Sequence, residues 1–200
     1  MTITFSSFQT ALNPGEILVT DFDSPYTLAP GWSSVFAAAG LATGDNPLPD
    51  ASAAPGFGTT VTDDDLTQYL AVYGTSTATF TGAASAVSMY VGSLDTGNQW
   101  TIYTTAGDFF FDGADLGVFS GVGSEYGERN AATTNGRFTF TSDAKITGFK
   151  LFSKSDSLEI SDVGYSAVPE PATWAMMIIG FGAVGSMVRG ARRRQAFAAA

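Results

Sequence analysis

Polar and apolar side chains alternate with a period of two along nearly the whole chain before Pro169, starting with Thr2-Ile3-Thr4-Phe5. That spacing sends successive side chains to opposite faces of an extended strand. Strands are predicted at Thr2–Phe5, Glu16–Phe22, Gln68–Tyr73, Thr77–Phe80, Ala86–Val91, Gln99–Tyr103, Asp108–Phe111, Arg137–Thr141, Ile146–Phe152 and Leu158–Tyr165. β-Branched and aromatic residues dominate these runs, as pleated, half-buried surfaces favour. Turn chemistry separates them at Asn13-Pro14-Gly15, Asp95-Thr96-Gly97-Asn98, Asp112-Gly113 and Asn135-Gly136. The fold class that follows is all-β: an antiparallel β-sandwich or jelly-roll-like domain over residues 1–167.

Two stretches depart from the alternation. Residues 24–58 hold Pro25, Pro30, Pro47, Pro49 and Pro55 among Ala, Gly and Ser, which predicts a long irregular loop with a short helical turn at Ser34 to Ala39. The other departure is the C-terminus. Ala172 to Val188 is seventeen residues without a charge, preceded by Pro169-Glu170-Pro171 and followed by Arg189, Arg192, Arg193 and Arg194. As a helix this run would be roughly 25 Å long, the short end of what spans a hydrocarbon core. It predicts a single, marginal transmembrane helix at about 172–188. Trp174 is placed at its outer edge, and an Arg cluster at 189–194 stays on the cytoplasmic side. Gly180, Gly182, Gly185 and Ser186 weaken such a helix and let another helix approach closely. Residues 195–200 form a short Ala-rich tail.

The string from Pro169 to Gly185, with Pro169, Glu170, Pro171, Trp174, Gly180, Gly182 and Gly185 in place and Arg192, Arg193 and Arg194 behind it, closely resembles the PEP-CTERM sorting signal in its PEPxxWA form. The resemblance covers residues 168–194. It implies recognition by an exosortase, a membrane-embedded processing enzyme of certain Gram-negative bacteria. It also implies cleavage near Pro169-Glu170-Pro171. The chain would rest transiently at the inner membrane, then reach the cell surface or the extracellular polysaccharide. Gly190 and Ala191 interrupt the arginines, a small departure from the pattern. The segments Ala53-Ala54-Pro55, Gln68 to Val72 and Ser93 to Asn98 resemble extracellular domains that precede this signal, which implies a lectin-type β-sandwich with no assigned activity.

Charge narrows the function. The chain carries −10 overall. Eighteen acidic residues face five basic ones up to Val168, and the remaining basic charge is the tail arginines. Such a surface repels phosphate backbones and argues against a nucleic-acid partner. Histidine and cysteine are absent, which removes serine–histidine and cysteine–histidine catalysis and any disulfide framework. The match to G-x-G-x-x-G at Gly180–Gly185 lacks the strand and the later acidic residue of a dinucleotide site. Met1 to Phe5 has no basic n-region and no apolar h-region, so the sorting signal leads us to expect a leader encoded upstream or already trimmed.

Candidate chemistry in the domain is sparse. Asp63 and Asp65, within Asp63-Asp64-Asp65, could supply oxygen ligands to Ca²⁺ or form a solvated turn, and Asp21 and Asp23 share their spacing. No EF-hand loop is present. Asp95 with Asn98, and Asp112 with Asp115, are turn formers before they are ligands. Glu125, Glu128 and Glu159 are the carboxylates a glycan hydrolase would draw on. Trp32 and Tyr26, with Phe36 and Phe57, either offer ring faces to a sugar or pin the long loop to the domain. Trp100, Tyr103, Phe109 and Phe111 read as strand-packing residues. The reading is thus a non-enzymatic, exported surface or matrix protein without a cofactor. A carbohydrate-binding module, Ca²⁺-dependent or not, and then a carboxylate-based glycan hydrolase, are the alternatives.

Overall fold

Alternating burial along the strands mirrors the alternating sequence: Asn98–Thr104 buries every second residue from Asn98 through Thr104. The computed structural model describes residues 1–42, 55–56, 68–154, 156–168, 177–185, 187 and 189. Among them are ten strands: β1 (Thr2–Ser7), β2 (Ile17–Thr20), β3 (Ser33–Ala37), β4 (Gly40–Ala42), β5 (Tyr69–Val72), β6 (Thr77–Gly92), β7 (Asn98–Thr104), β8 (Phe109–Asp112), β9 (Gly136–Ser153) and β10 (Leu158–Ser166). One helix, α1 (Gly113–Ser120), lies between β8 and β9. Every strand pairing is antiparallel.

β6 and β9 pair along nearly their full length and organise the rest. Their register shifts between Thr81 and Ala84 and again between Ala84 and Ala86. Such irregularities bend a strand and increase its twist. On one side of the bend, Thr77–Thr81 of β6 is flanked by β3, and the C-terminal part of β9 by β7 and then β8. On the other side, Ala86–Gly92 is flanked by β10, and the N-terminal part of β9 by β1. β10 carries β5 at its start and β2 at its end, and β5 carries β4. Phe111 of β8 and Phe140 of β9 come from opposite sides of the bend, and their rings approach to 5.9 Å. One apolar cluster takes Phe80, Trp100, Ile102, Phe149 and Leu151 from one side and Val87, Met89, Phe138, Phe140 and Ile160 from the other.

Three expectations change. Thr77–Phe80 and Ala86–Val91 belong to one strand, as do Arg137–Thr141 and Ile146–Phe152. Ser34 to Ala39 is not a helical turn. Residues Ser33–Ala37 form β3 because β6 offers a free edge there, with Val35 opposite Thr79 and Phe36 opposite Ala78. α1 was not expected. Asp112 caps it: its carboxylate accepts from the Asp115 N–H at 2.9 Å, and the Asp115 carboxylate accepts from the Asp112 N–H at 3.1 Å. This reciprocal arrangement satisfies two otherwise orphaned donors. Gly121, at φ 72, ends the helix in the left-handed conformation that a side chain would resist.

The chain divides into two compact units, Met1–Ala167 and Val168–Ala200. In the second, residues 177–185 are helical and exposed, as are 187 and 189. The expected transmembrane helix at about 172–188 finds no support: no helix among the described residues is long and apolar enough to cross a membrane. The continuous described stretch has nine residues and includes Gly180, Gly182 and Gly185. Residues 172–176, 186 and 188 lie outside the described residues.

Candidate functional site

The aromatic residues of the 22–36 segment are turned onto the domain. Phe22 stacks on Tyr26 with centroids 5.9 Å apart and planes at 4°. Phe22 and Phe36 both meet Phe80, at 6.2 and 5.9 Å, and Phe80 stacks on Phe149 at 4.7 Å. The Tyr26 hydroxyl pairs with Ser34 Oγ at 3.0 Å, and burial raises its pKa against the lowering effect of that bond. Trp32 keeps only 8% of its surface, packed at 6.3 Å from Phe149 and 5.3 Å from Tyr165, over Gly82. Of the two readings of Trp32, its burial fits the one in which it pins the loop to the domain; Tyr26 is half-buried. Phe57 lies outside the described residues.

The carboxylates are scattered. Asp63 and Asp65 lie outside the described residues. Asp21 Oδ1 accepts from the Asp23 N–H at 3.0 Å, a turn contact. Asp112 and Asp115 are engaged in capping α1. Glu125 accepts from the Thr133 hydroxyl, and Glu128 is exposed. Glu159 is buried and accepts from the Ser157 hydroxyl. No group of three or more metal-type ligands occurs among the described residues. Asp95, half-buried in the β6–β7 loop, is pushed up to about 6, first by burial and then by the neighbouring Asp156 charge. Its N–H donates to Asn98 Oδ1 at 2.8 Å.

Two polar assemblies were not singled out from the sequence. Arg137 of β9 is buried, and its guanidinium donates to four oxygens. Nε reaches the Ala11 carbonyl at 2.9 Å, and Nη2 the Thr10 carbonyl at 2.5 Å. Nη1 reaches the Asp162 carbonyl at 2.7 Å and Ser88 Oγ at 3.0 Å. Ser88 in turn donates to Glu16 Oε2 at 2.8 Å, and Asn13 donates to both Glu16 oxygens and to Thr139 Oγ1. Burial lowers the Arg137 pKa, while the charges of Asp162, Glu16 and Tyr90 oppose that. Burial raises Asp162, opposed by Arg137 and the Ser161 hydroxyl and assisted by Asp21 and Asp23. Tyr90 is raised by burial too, against Arg137. Ser88 is buried, and its hydroxyl is bonded to the Glu16 carboxylate. The assembly fastens residues 10–16 to the sheet. The only sequence signal was a basic residue in the run Arg137–Thr141, beside Phe138 and Phe140.

Asn135 is the second. Its Nδ2 lies 3.1, 3.0 and 3.0 Å from the carbonyl oxygens of Glu128, Arg129 and Ala131, and its Oδ1 accepts from the Gly56 N–H at 3.2 Å. The Thr134 hydroxyl donates to the same Glu128 and Ala131 carbonyls. These two side chains bring three hydrogens to three carbonyls and close the loop that follows α1.

In the second unit, Gly180, Gly182 and Gly185 sit on the exposed helical stretch, with open space where a Cβ would stand. Pro169, Glu170, Pro171, Trp174, Arg192, Arg193 and Arg194 lie outside the described residues. Residues 167–194 match the family model of the PEP-CTERM protein-sorting motif. No curated protein matches the chain. The C-terminus therefore carries a PEP-CTERM sorting motif, which supports targeting by an exosortase toward the cell surface or extracellular space.

Proposed function

We propose that this PEP-CTERM chain is an exported, non-enzymatic surface or matrix protein, whose C-terminal unit hands the β-rich unit to an exosortase. The single observation that carries the reading is the motif match at residues 167–194, which starts at Ala167, the last residue of the first compact unit. The first unit is then cargo and the second its address. The apolar run and the arginines behind it support a pause at the inner membrane before cutting. The strongly acidic composition suits an extracellular life. For the cargo we favour a β-sandwich. The bend in β6 and β9 and the Phe111–Phe140 contact across it support that architecture.

The non-enzymatic reading draws on how the polar groups are used. Arg137, Ser88, Glu16 and Asn135 are consumed in fastening loops to the sheet, and Trp32 in closing it. The test is fractionation of producing cells, with mass spectrometry of the mature C-terminus. A cut near Pro171 with loss of Arg192–Arg194, and the remainder at the surface or in the matrix, is expected. Full-length chain with an intact tail in every fraction overturns it.

A further inference from the structure

One side chain ties down the point where the chain leaves the sheet. β10 makes its last pairing at Ser166, opposite Ala86. Just before Ala86, where β6 bends, the half-buried Ser85 hydroxyl lies 3.2 Å from the Ser166 carbonyl oxygen and 3.3 Å from that of Ala167. Its one proton is shared between them. β3 flanks β6 only as far as Thr81, so Ser85 stands between the edge held by β3 and the edge held by β10.

In sequence, only Ala167 and Val168 separate Ser166 from Pro169. At about 3.3 Å per residue, that places Pro169 no more than roughly 10 Å along the chain from the last paired residue. An enzyme that takes its substrate as an extended segment engages backbone N–H and C=O groups on both sides of the motif. On the upstream side the first groups it meets are those of Val168, Ala167 and Ser166. The carbonyls of the latter two are already held by Ser85, and Ser166 is also paired with Ala86.

We propose that Ser85 is a latch: it keeps the upstream end of the processing segment in the sheet, and cutting waits on release of Ser166 and Ala167. This rests on the exosortase reading above. Strand ends open locally far more often than cores do. The net contribution of a neutral hydrogen bond corresponds to a change of roughly three- to tenfold in that opening equilibrium.

The test is a pulse–chase of the full chain in cells that carry the exosortase, following the mature C-terminus by mass spectrometry. Ser85→Ala is expected to mature roughly three- to tenfold faster with an unchanged melting temperature. Ser85→Thr, which keeps the hydroxyl, should mature at the unsubstituted rate. A short Gly/Ser insert between Ala167 and Val168 should match the Ala variant's speed and make Ser85→Ala silent. Maturation of Ser85→Ala at the unsubstituted rate overturns the latch, as does equal acceleration by Ser85→Thr, or acceleration accompanied by global destabilisation. If no form of the chain is cut, including the insert, the exosortase reading itself has failed and takes the latch with it.

Discussion

Trp32 lies directly over Gly82: a Cβ built on that glycine would stand 2.2 Å from Trp32 Cδ2. Gly82 belongs to the irregular stretch of β6, so the indole is seated at the bend, with Phe149 on one side and Tyr165 on the other. No rotamer change at an alanine could relieve the clash. Gly82→Ala is expected to lose about 1–3 kcal/mol, as overpacked cores do, and to push the indole toward water. Urea unfolding read by a red shift in tryptophan emission checks it. An unshifted midpoint with unshifted emission would show that the bend absorbs the methyl group.

Arg137 supplies the donors for the carbonyls of Thr10, Ala11 and Asp162. Methionine fills much of the same volume and donates nothing. Arg137→Met should destabilise the domain by about 3–5 kcal/mol, the usual penalty for removing one partner from a buried charged assembly. Amide exchange should rise first at residues 10–16. If exchange rises uniformly instead, Arg137 supports the core rather than the segment.

The raised pKa of Asp95 fixes the sign of a pH effect. Its carboxyl holds its proton up to about pH 6 when folded and sheds it near the ordinary value of 3.8 when unfolded. Between those values the folded state binds more protons, so stability falls as pH rises, and the loss is complete above the folded value. Asp95→Asn removes that titration. The variant should be the more stable by on the order of 1 kcal/mol at pH 7.5, after discounting for the solvent the group keeps. The difference should vanish near pH 4. Melting temperatures at the two values decide; an equal difference at both would place the effect outside this carboxyl.

Asn135→Asp swaps a donor for an acceptor in front of three carbonyl oxygens. Setting a carboxylate against part-buried carbonyls that have lost this donor should cost about 1–3 kcal/mol. Limited proteolysis between residues 121 and 135 should become rapid. Unchanged protease resistance would mean Thr134 alone closes the loop.

Much of the β architecture was legible because period-two burial leaves its mark on the residues themselves. Asn98 to Thr104 reads as a strand from its own side chains. What escaped depends on partners far away in the chain. Nothing within Ser33–Ala37 identifies the free edge of β6 that makes it a strand. The bulged residues 82–85 look like a turn between two strands, although the chain runs on through them. The Asp112–Asp115 box was visible as a spacing, but Asp112-Gly113 is equally good turn chemistry and masked it. Arg137 and Asn135 were unreadable as hubs because their partners are mostly main-chain carbonyls, which carry no sequence identity. In the address unit the reverse holds: its meaning lies in residue order, and residue order is enough to find it.

The pairing of β1 with the first half of β9 has a consequence for synthesis. Thr2 is bonded opposite Thr141, and Ile3 opposite Phe140. A polypeptide made from its amino end delivers β1 early and its neighbour β9 very late. The two partners lie more than a hundred residues apart in sequence, and slow closure of such distant pairings is the rule for sheet proteins. The sheet at β1 therefore closes late, once β9 has been made, and until then β1 keeps an unpaired edge.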